Sequence, residues 1–263
     1  MFSPSDHTFA LCAYGKSPYL GECVESLLSQ TAKSHILIST STPNESISST
    51  ASKYGVKLFI NSGKPGIARD WNCAIEHCET PLITIAHQDD LYEPRYTERM
   101  LGKVNSSARP LIFFSGYGEL RPEGKVTSNK LLNIKRTLLK PLEGGRLNSS
   151  RLVRRRCLSL GSPICCPAVT YVMPNLNKPL FVEGFKSDLD WQAWEKFSRM
   201  EGSFAYDPEV LMWHRIHGGS ETSALIKDNT RTKEDLAMLS LFWPKPVAKF
   251  INHFYAAGQK SNG

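Results

Sequence analysis

The first half of the chain alternates short apolar runs with segments whose apolar residues recur every three or four positions. Short runs predict buried strands, and the wider spacing predicts amphipathic helices. The predicted strands are residues 9–14, 35–42, 56–61, 81–86 and 111–117, with helices near 19–28, 47–54 and 66–78 and after Pro94. This alternation predicts an α/β fold with a mostly parallel central sheet flanked by helices. The second half is less regular, with a strand over 168–173 and a helix from about Asp188.

Composition narrows the class of protein. The 263 residues are 41% hydrophobic and 22% charged, which predicts a chain with a substantial core and excludes a disordered polymer. We find neither an apolar run of the roughly 20 residues that span a bilayer nor a secretory signal pattern. The 7 cysteines are odd in number and lack Cys-x-x-Cys spacing, so we expect free thiols in a reducing, cytoplasmic compartment rather than disulfides or a zinc site.

The positive charge is concentrated in one segment. The chain carries a net charge of +7, but residues 125–157 hold ten Lys and Arg against the single acid Glu143, so the remainder is slightly acidic. A local basic segment predicts a phosphate-bearing substrate or an acidic membrane surface as partner, and not a nucleic acid. The alternative is an ordinary solvated basic loop.

In parallel sheets, ligands bind beyond the carboxyl ends of the strands. This rule predicts one crevice lined by Tyr14, residues 39–41, Asn61 and the adjacent Asp89 and Asp90. Two neighbouring carboxylates at such an edge favour a divalent cation, for which Mg²⁺ and Mn²⁺ are the candidates. The alternative is that they cap the helix that begins near Glu93.

Several motifs occur in an order that resembles family 2 glycosyltransferases of the GT-A fold. The matching segments are Ser26–Thr31 in the first helix, Gly66–Ile75 with its internal Asn72, Leu82–Ala86 followed by His87–Asp90, Ser187–Trp191, and Trp213–Ser220. They extend over residues 8–223 and specify the family but no particular sugar. Two departures are evident: Ser39–Thr42 stands where the family usually carries acids, and His87 occupies the first position of the Asp-x-Asp motif.

The resemblance implies an enzyme that transfers a sugar from a nucleotide-sugar, with a UDP-sugar as first candidate, to a glycan acceptor in surface polysaccharide synthesis. The basic segment adds the expectation that the acceptor is lipid-linked. The resemblance implies Asp89, Asp90 and His217 as ligands of Mn²⁺ or Mg²⁺, with Asp90 either ligating the ion or supporting Asp89. The candidate nucleotide-sugar contacts are Ala13, Tyr14, Ser39, Ser41, Asn61, Asn72, His87, Gln88 and Arg215. His217 is otherwise a surface histidine, and Arg215 otherwise pairs with a surface acid.

An attacking hydroxyl must lose its proton to a base on the acceptor side. The resemblance assigns this role to Asp190, with Asp188 as the alternative, and a base opposite the leaving group implies inversion at the anomeric carbon. Either aspartate is otherwise a helix cap. Trp191 is predicted to be an acceptor-binding platform or, equally, a core residue.

The resemblance also implies a domain division. Residues 1–223 are expected to form the GT-A domain, with a nucleotide-sugar half over 1–120 and an acceptor and catalytic half over 121–223. Residues 224–263 are expected to form a helical extension. Its last helix, from Pro246, predicts either a membrane-interface helix or one packed on the domain or on a second subunit of an oligomer, and the ordinary width of its apolar face favours packing.

Two other functions compete with glycosyl transfer. A sugar nucleotidyltransferase also needs nucleotide and metal, but it predicts a glycine-rich loop after the first strand, where the chain has Ala13–Pro18. A non-catalytic polyanion- or membrane-binding module would use the basic segment and would not need Asp89, Asp90 or Asp190.

Overall fold

The structure, a computed structural model, describes residues 1–218 and 230–260. The strands are β1 His7–Cys12, β2 His35–Thr40, β3 Lys57–Ile60, β4 Leu82–His87, β5 Leu91–Tyr92, β6 Pro110–Arg121, β7 Gly124–Val126, β8 Val169–Val172 and β9 Ser203–Arg215. The helices are α1 Leu20–Leu28, α2 Glu45–Tyr54, α3 Ile67–Glu76, α4 Tyr96–Ser106, α5 Lys130–Leu139, α6 Arg151–Leu158, α7 Leu189–Ser198, α8 Thr230–Leu239 and α9 Lys245–Lys260.

All of these strands join one curled sheet in the order β3-β2-β1-β4-β8-β6-β9-β5, with β7 paired to β6. The first four strands are parallel, as the alternating sequence pattern predicts. β8 then runs antiparallel to both β4 and β6, and β6 is parallel to β9. The sheet is therefore mixed, and its parallel half carries the carboxyl-end crevice.

Successive residues of β1 face opposite sides of the sheet, as the period of a strand requires. Phe9 and Leu11 pack with α1 and α4 on one side, and Ala10 packs with α3 and α7 on the other. Because helices cover both faces, the central strands are buried throughout.

Local signals explain where the helices begin and end. The Asn44 side chain accepts a hydrogen bond from the Ile47 N–H at 3.2 Å and caps the start of α2. Gly55 ends that helix with a φ of 64°, in the left-handed region that glycine adopts without strain.

β9 was not predicted from the sequence, because Asp207, Pro208 and Glu209 interrupt its apolar pattern. In the structure these residues lie at a register shift opposite Ser115 and Gly116 of β6. A Cβ atom on Gly116 would lie 2.5 Å from the Pro208 carbonyl oxygen, so the irregularity requires a glycine there. β9 matters for function because it carries His214 and Arg215 to the crevice.

The basic segment does not form one continuous surface. Lys125 pairs with Glu93 at 2.8 Å, and Arg155 pairs with Glu195. Arg154 is fully buried, with its guanidinium over the Phe204 ring. Only some of the ten basic side chains in residues 125–157 therefore face solvent unpaired.

In residues 1–218 and 230–260, no helix combines the length and the apolar character that crossing a bilayer requires. The predicted division between residues 223 and 224, and the end of the Trp213–Ser220 motif, lie outside the described residues. The domain division therefore stays a prediction.

Candidate functional site

Asp90 is fully buried directly after β4 and holds that strand to the end of β9. Its Oδ1 accepts hydrogen bonds from the Arg215 backbone N–H at 2.9 Å and from His214 Nδ1 at 3.1 Å. Its Oδ2 is buried without a hydrogen-bond partner and faces His87 Nδ1 at 3.9 Å. These contacts make Asp90 a support for the site, one of the two roles expected of it.

Asp89 points toward His217, whose Nε2 lies 2.8 Å from the Asp89 Oδ2. Burial alone raises the pKa of Asp89, but the hydrogen bond from His217 and the charges of His87 and His214 outweigh it, so the pKa lies below the usual value. Asp89 is therefore ionised at neutral pH. One carboxylate oxygen and one imidazole nitrogen, brought together from two distant motifs, share one corner of the crevice.

Arg215 lies at the rim of this corner. Its Nε donates to the Asp89 carbonyl oxygen at 2.7 Å and its Nη2 donates to Glu22 at 2.6 Å. The guanidinium lies over the Tyr19 ring at 4.2 Å from the centroid. Arg215 thus pairs with a surface acid, as one interpretation predicted, and it also lies beside Asp89, as a nucleotide-sugar contact would.

The Gln88 side chain, after β4, is hydrogen-bonded to the backbone of Tyr14, after β1. Gln88 Oε1 accepts from the Tyr14 N–H at 3.0 Å, and Gln88 Nε2 donates to the Tyr14 carbonyl at 2.9 Å. His87 stacks on Trp71, with ring centroids 5.3 Å apart. The Tyr14 ring is 56% exposed and remains available to a flat ligand. Ala13, by contrast, is buried and donates its N–H to the Ser39 carbonyl at 3.0 Å.

A residue that the sequence analysis missed, Asp70, lies at the ends of β2 and β3. Its carboxylate accepts hydrogen bonds from Ser41 Oγ at 2.7 Å and from Asn61 Nδ2 at 3.2 Å. The Ser39 hydroxyl donates in turn to Asn61 Oδ1 at 3.0 Å. The acid that the resemblance expects after β2 is thus supplied from α3. Two features of the sequence could have identified Asp70: the segment Ser39–Thr42 holds no acid, and the first turn of α3 holds one.

Space for a ligand opens beside this cluster. A cavity of about 250 Å³ lies between the start of α3 and the segment Glu183–Lys186. Its lining includes Gly66 and Arg69, the residue that precedes Asp70. The cavity adjoins the cluster through Gly66, whose N–H donates to Asp70 Oδ2 at 3.3 Å, whereas Ser41, Asn61 and Asp70 do not themselves line it.

Asn72 requires a correction. Its Nδ2 donates to the Phe181 carbonyl at 2.8 Å, and its Oδ1 accepts from the N–H groups of Leu180 and Phe181 at 3.2 and 3.3 Å. Its amide is thus engaged on both sides by the chain. Asn72 holds this loop against α3 and does not present a group to a nucleotide.

Asp190 lies in the first turn of α7, where its Oδ1 accepts the Trp191 N–H at 2.7 Å. Burial raises the pKa of Asp190 to about 6, and Arg231 and Lys135 limit the rise. A carboxylate with a pKa near neutrality can accept a proton and release it again at physiological pH.

Asp188 is engaged elsewhere and is 3% exposed. Its N–H, together with those of Lys186 and Ser187, donates to the Glu234 carboxylate of α8 at 2.7 to 3.1 Å. Burial first, and then the neighbouring carboxylates of Asp235 and Asp190, raise its pKa well above the usual value. Asp188 therefore holds a proton at neutral pH and secures α8 to the start of α7.

Trp191 does not form a platform for an acceptor. Its side chain is fully buried, its Nε1 donates to the Leu158 carbonyl at 3.1 Å and its ring stacks on Phe242. The position after Asp190 on α7 faces the core, so the core interpretation of Trp191 is correct.

The Asp89–Asp90 pair and Asp190 lie in the same part of the molecule. The Cys165 thiol interacts electrostatically with Asp90, with Asp190 and with Lys135, and burial raises its pKa far above the usual value. Lys135 also acts on His214, which contacts Asp90. The ends of β4 and β9 therefore lie near the start of α7.

In the part of the chain that the structure describes, no three His, Cys, Asp or Glu side chains form a closed ligand set. Asp89 Oδ2 and His217 Nε2 supply two donor atoms, and the buried, unpartnered Oδ2 of the adjacent residue Asp90 is a third. An oxygen and nitrogen donor set with open positions suits a divalent ion that also binds phosphate oxygens and water.

Comparisons with known proteins identify the family and the fold. The family model described as Glycosyl transferase family 2 matches residues 8–166. The structure resembles S. aureus TarS 1-349 in complex with UDP-GlcNAc, with a TM-score of 0.62, 14% identity and coverage of 94% of this chain and 70% of that one. It also resembles the mannosyltransferase PcManGT from Pyrobaculum calidifontis in complex with GDP-Man and Mn²⁺, with a TM-score of 0.64, 14% identity and coverage of 97% and 71%. No curated protein sequence matches this chain significantly.

Proposed function

The chain belongs to glycosyl transferase family 2 and has the GT-A fold, as its sequence predicted, and from this premise we propose that it transfers a sugar from a nucleotide-sugar to a hydroxyl group of a glycan acceptor. A UDP-sugar is the first candidate donor. The observation that carries the proposal is that an ionised Asp89, hydrogen-bonded to His217, and an Asp190 whose pKa is about 6 lie in the same part of the molecule. Asp89 would help to hold the ion that stabilises the departing diphosphate, and Asp190 would accept the proton of the acceptor hydroxyl.

On the donor side, Asp89 and His217 would hold a divalent ion, Mg²⁺ or Mn²⁺, with Asp90 supporting them. When bound, the ion offsets the negative charge that develops on the leaving diphosphate. The solved structure of PcManGT, described with GDP-Man and Mn²⁺, supports this assignment by fold alone. Arg215 stands beside Asp89 and adds a positive charge at the rim. At the other end of the donor, Tyr14, Ser41 and Asp70 would line the place for the nucleoside, and the buried Asn61 would hold Asp70 there.

On the acceptor side, Asp190 would act as general base. It accepts the proton of the acceptor hydroxyl while that oxygen forms a bond to the anomeric carbon and the bond to the diphosphate breaks. Because the base and the leaving group lie on opposite sides of the sugar, this step inverts the anomeric configuration. Asp188 does not compete for the role, since its raised pKa keeps it protonated and its backbone N–H is held by Glu234.

The biological setting of the proposal follows from the remaining basic surface. We infer a lipid-linked acceptor presented at the inner face of the cell membrane, within the synthesis of a surface polysaccharide. A lipid-linked diphosphate is an anion, and exposed basic side chains of the segment 125–157 would attract it.

The proposal is tested by measuring release of nucleoside diphosphate from a panel of UDP-, dTDP- and GDP-sugars, with Mn²⁺, with Mg²⁺ and with a chelator. We expect one donor class to be used only when a divalent ion is present. Asp89→Asn should reduce the rate by about 100-fold or more, because a bound ion supplies several kcal/mol of stabilisation. The matched control is Glu123→Gln in the exposed β6–β7 turn, which should keep the wild-type rate. If the whole panel stays intact with both ions, glycosyl transfer by this chain is rejected.

A further inference from the structure

The last helix, α9, divides its apolar residues between two sides. Ala248 and Asn252 are buried, and Asn252 Nδ2 donates to the Thr232 carbonyl of α8 at 3.1 Å. Phe250 and Phe254 are 67% and 62% exposed, and Val247 is 41% exposed. The side that carries both phenylalanines therefore does not pack on the domain, and a second subunit or a membrane interface stays the predicted partner of that side.

The exposed residues form one patch. Positions 247, 250 and 254 share a helix face, and the Phe250 and Phe254 ring centroids lie 5.0 Å apart in an edge-to-face arrangement. Leu241, in the turn before the helix, is 46% exposed. Two adjacent exposed aromatic rings beside aliphatic side chains are unusual on a soluble surface and indicate a binding site.

Positive charge accompanies this apolar patch. Lys245 and Lys249 are exposed on the same helix. Arg156 of α6 lies with its guanidinium over the Trp243 ring, and Arg155 Nη2 donates to the Leu241 carbonyl at 3.3 Å. The sequence holds no Asp or Glu after Asp235. The surface thus combines exposed aromatic rings with basic side chains and has no acid of its own along the helix.

We propose that this surface, consisting of Leu241, Val247, Phe250 and Phe254, docks on an anionic lipid bilayer. The rings enter the boundary between headgroups and acyl chains, and Lys245 and Lys249, which helical spacing places on the other side of α9, add positive charge that attracts the anionic headgroups. A second copy of the chain is a poorer occupant, because a two-fold interface would bring two basic helices together without acids to pair them.

The inference adds a docking surface to the membrane setting of the proposed function, and it is tested without reference to sugar transfer. The full chain is sedimented with vesicles of phosphatidylcholine alone and with vesicles that contain phosphatidylglycerol. We expect binding to the anionic vesicles only, weakened by salt. Replacing Lys245 and Lys249 by glutamine should weaken binding by about fivefold for each lysine.

The decisive variant is Phe250→Ser with Phe254→Ser, which should lower vesicle binding by roughly tenfold or more. Both side chains are exposed, so its melting temperature and its nucleoside diphosphate release without vesicles should equal those of the wild type. The matched control is Ile60→Ser, a 60% exposed apolar residue on β3. Equal vesicle binding by the double variant and the wild type would overturn the proposal. So would light scattering that finds a wild-type dimer which the double variant loses, because the surface would then belong to a second copy.

Discussion

Two pairs of aspartates lie in the same part of the molecule and behave in opposite ways. Asp89 and Asp90 follow β4 and are surrounded by His87, His214 and His217, so the pKa of Asp89 falls. Asp188 and Asp190 begin α7, where burial dominates and the pKa of each rises. The same residue type is thus prepared to stay ionised at one end of the site and to take up a proton at the other.

The difference comes from which elements meet at each pair. β9 delivers His214, and the turn after it delivers His217, to the first pair. At the second pair, α8 delivers the Asp235 carboxylate, which favours the protonated form of Asp188, and the Glu234 carboxylate, which accepts the Asp188 backbone N–H. Charge at the site is therefore determined by long-range neighbours, and the local sequence motif alone does not reveal it.

The contrast between Asp188 and Asp190 leads to the largest expected effect. Asp190→Asn should lower the turnover of donor and acceptor by roughly 10²- to 10⁴-fold, because a general base contributes an effect of that size. Calorimetry with UDP and Mn²⁺ should find the nucleotide affinity unchanged, since Asp190 lies on the acceptor side.

The comparison variant is Asp188→Asn, which replaces a protonated carboxyl by an amide of similar shape. It should retain most of the turnover if α8 stays docked. If Asp190→Asn keeps turnover while Asp188→Asn loses it, the roles of the two aspartates are reversed and the proposed base is wrong.

The order of elements was predictable where each element carries its own signal. The apolar runs of β1 and β4 and the helical spacing of α1 and α3 predicted the parallel half of the sheet, and the motifs after β4 predicted the family. The short β5 and β7 lack such a signal, and β9 is interrupted at Pro208. Their pairing depends on contacts between distant segments, which sequence periodicity does not contain.

The sequence predicted which residues belong to the site better than it predicted the contacts that these residues make. Asp89 and His217 stand together as their motifs implied, and that arrangement rests on a contact between residues 128 positions apart. Asn72 and Trp191 belong to matching motifs, yet the Asn72 amide hydrogen-bonds to a loop and the Trp191 ring is buried in the core. A motif identifies a residue, but the packing around that residue determines where its side chain points.

A second prediction concerns Asp70, a third carboxylate whose partners are neither imidazoles nor acids but Ser41 and Asn61. Asp70→Asn should weaken nucleotide binding by about tenfold, the effect expected when one hydrogen bond to a charged group is lost. Turnover at saturating donor should change little, because the nucleoside end does not react. Glu76→Gln, on the exposed side of the same helix, is the control for calorimetry against UDP and GDP. Unchanged affinity for both nucleotides would remove Asp70 from the donor site.

The smallest expected effect is the pH dependence of stability, which separates the two pairs in the folded protein without substrate. The pKa of Asp188 in the folded chain exceeds its ordinary value of 3.8. Its contribution to the free energy of unfolding is therefore fully present below about pH 4 and is lost as the pH rises through the folded value. His214, whose pKa the Asp90 charge raises against the effect of its burial, adds a loss of the same sign above its ordinary value of 6.5.

For Asp188 and His214 we therefore expect a fall in the free energy of unfolding as the pH rises, with a limiting slope near 1.4 kcal/mol per pH unit for each group that titrates. Below about pH 6.5 the buried His7 and His87, whose pKa values burial lowers, act in the opposite direction, and they do so equally in the wild type and in an Asp188 variant. Asp190 contributes to this fall only up to about pH 6, the value of its own pKa. Asp188→Asn removes one titrating group, so its melting curve should be flatter, and the difference from the wild type should be widest above about pH 6. Glu123→Gln, exposed and distant from α7, should keep the wild-type slope. Parallel slopes in the Asp188 variant and the wild type would mean that Asp188 is ionised in the folded protein, and the distinction between the two aspartate pairs would then rest on Asp190 alone.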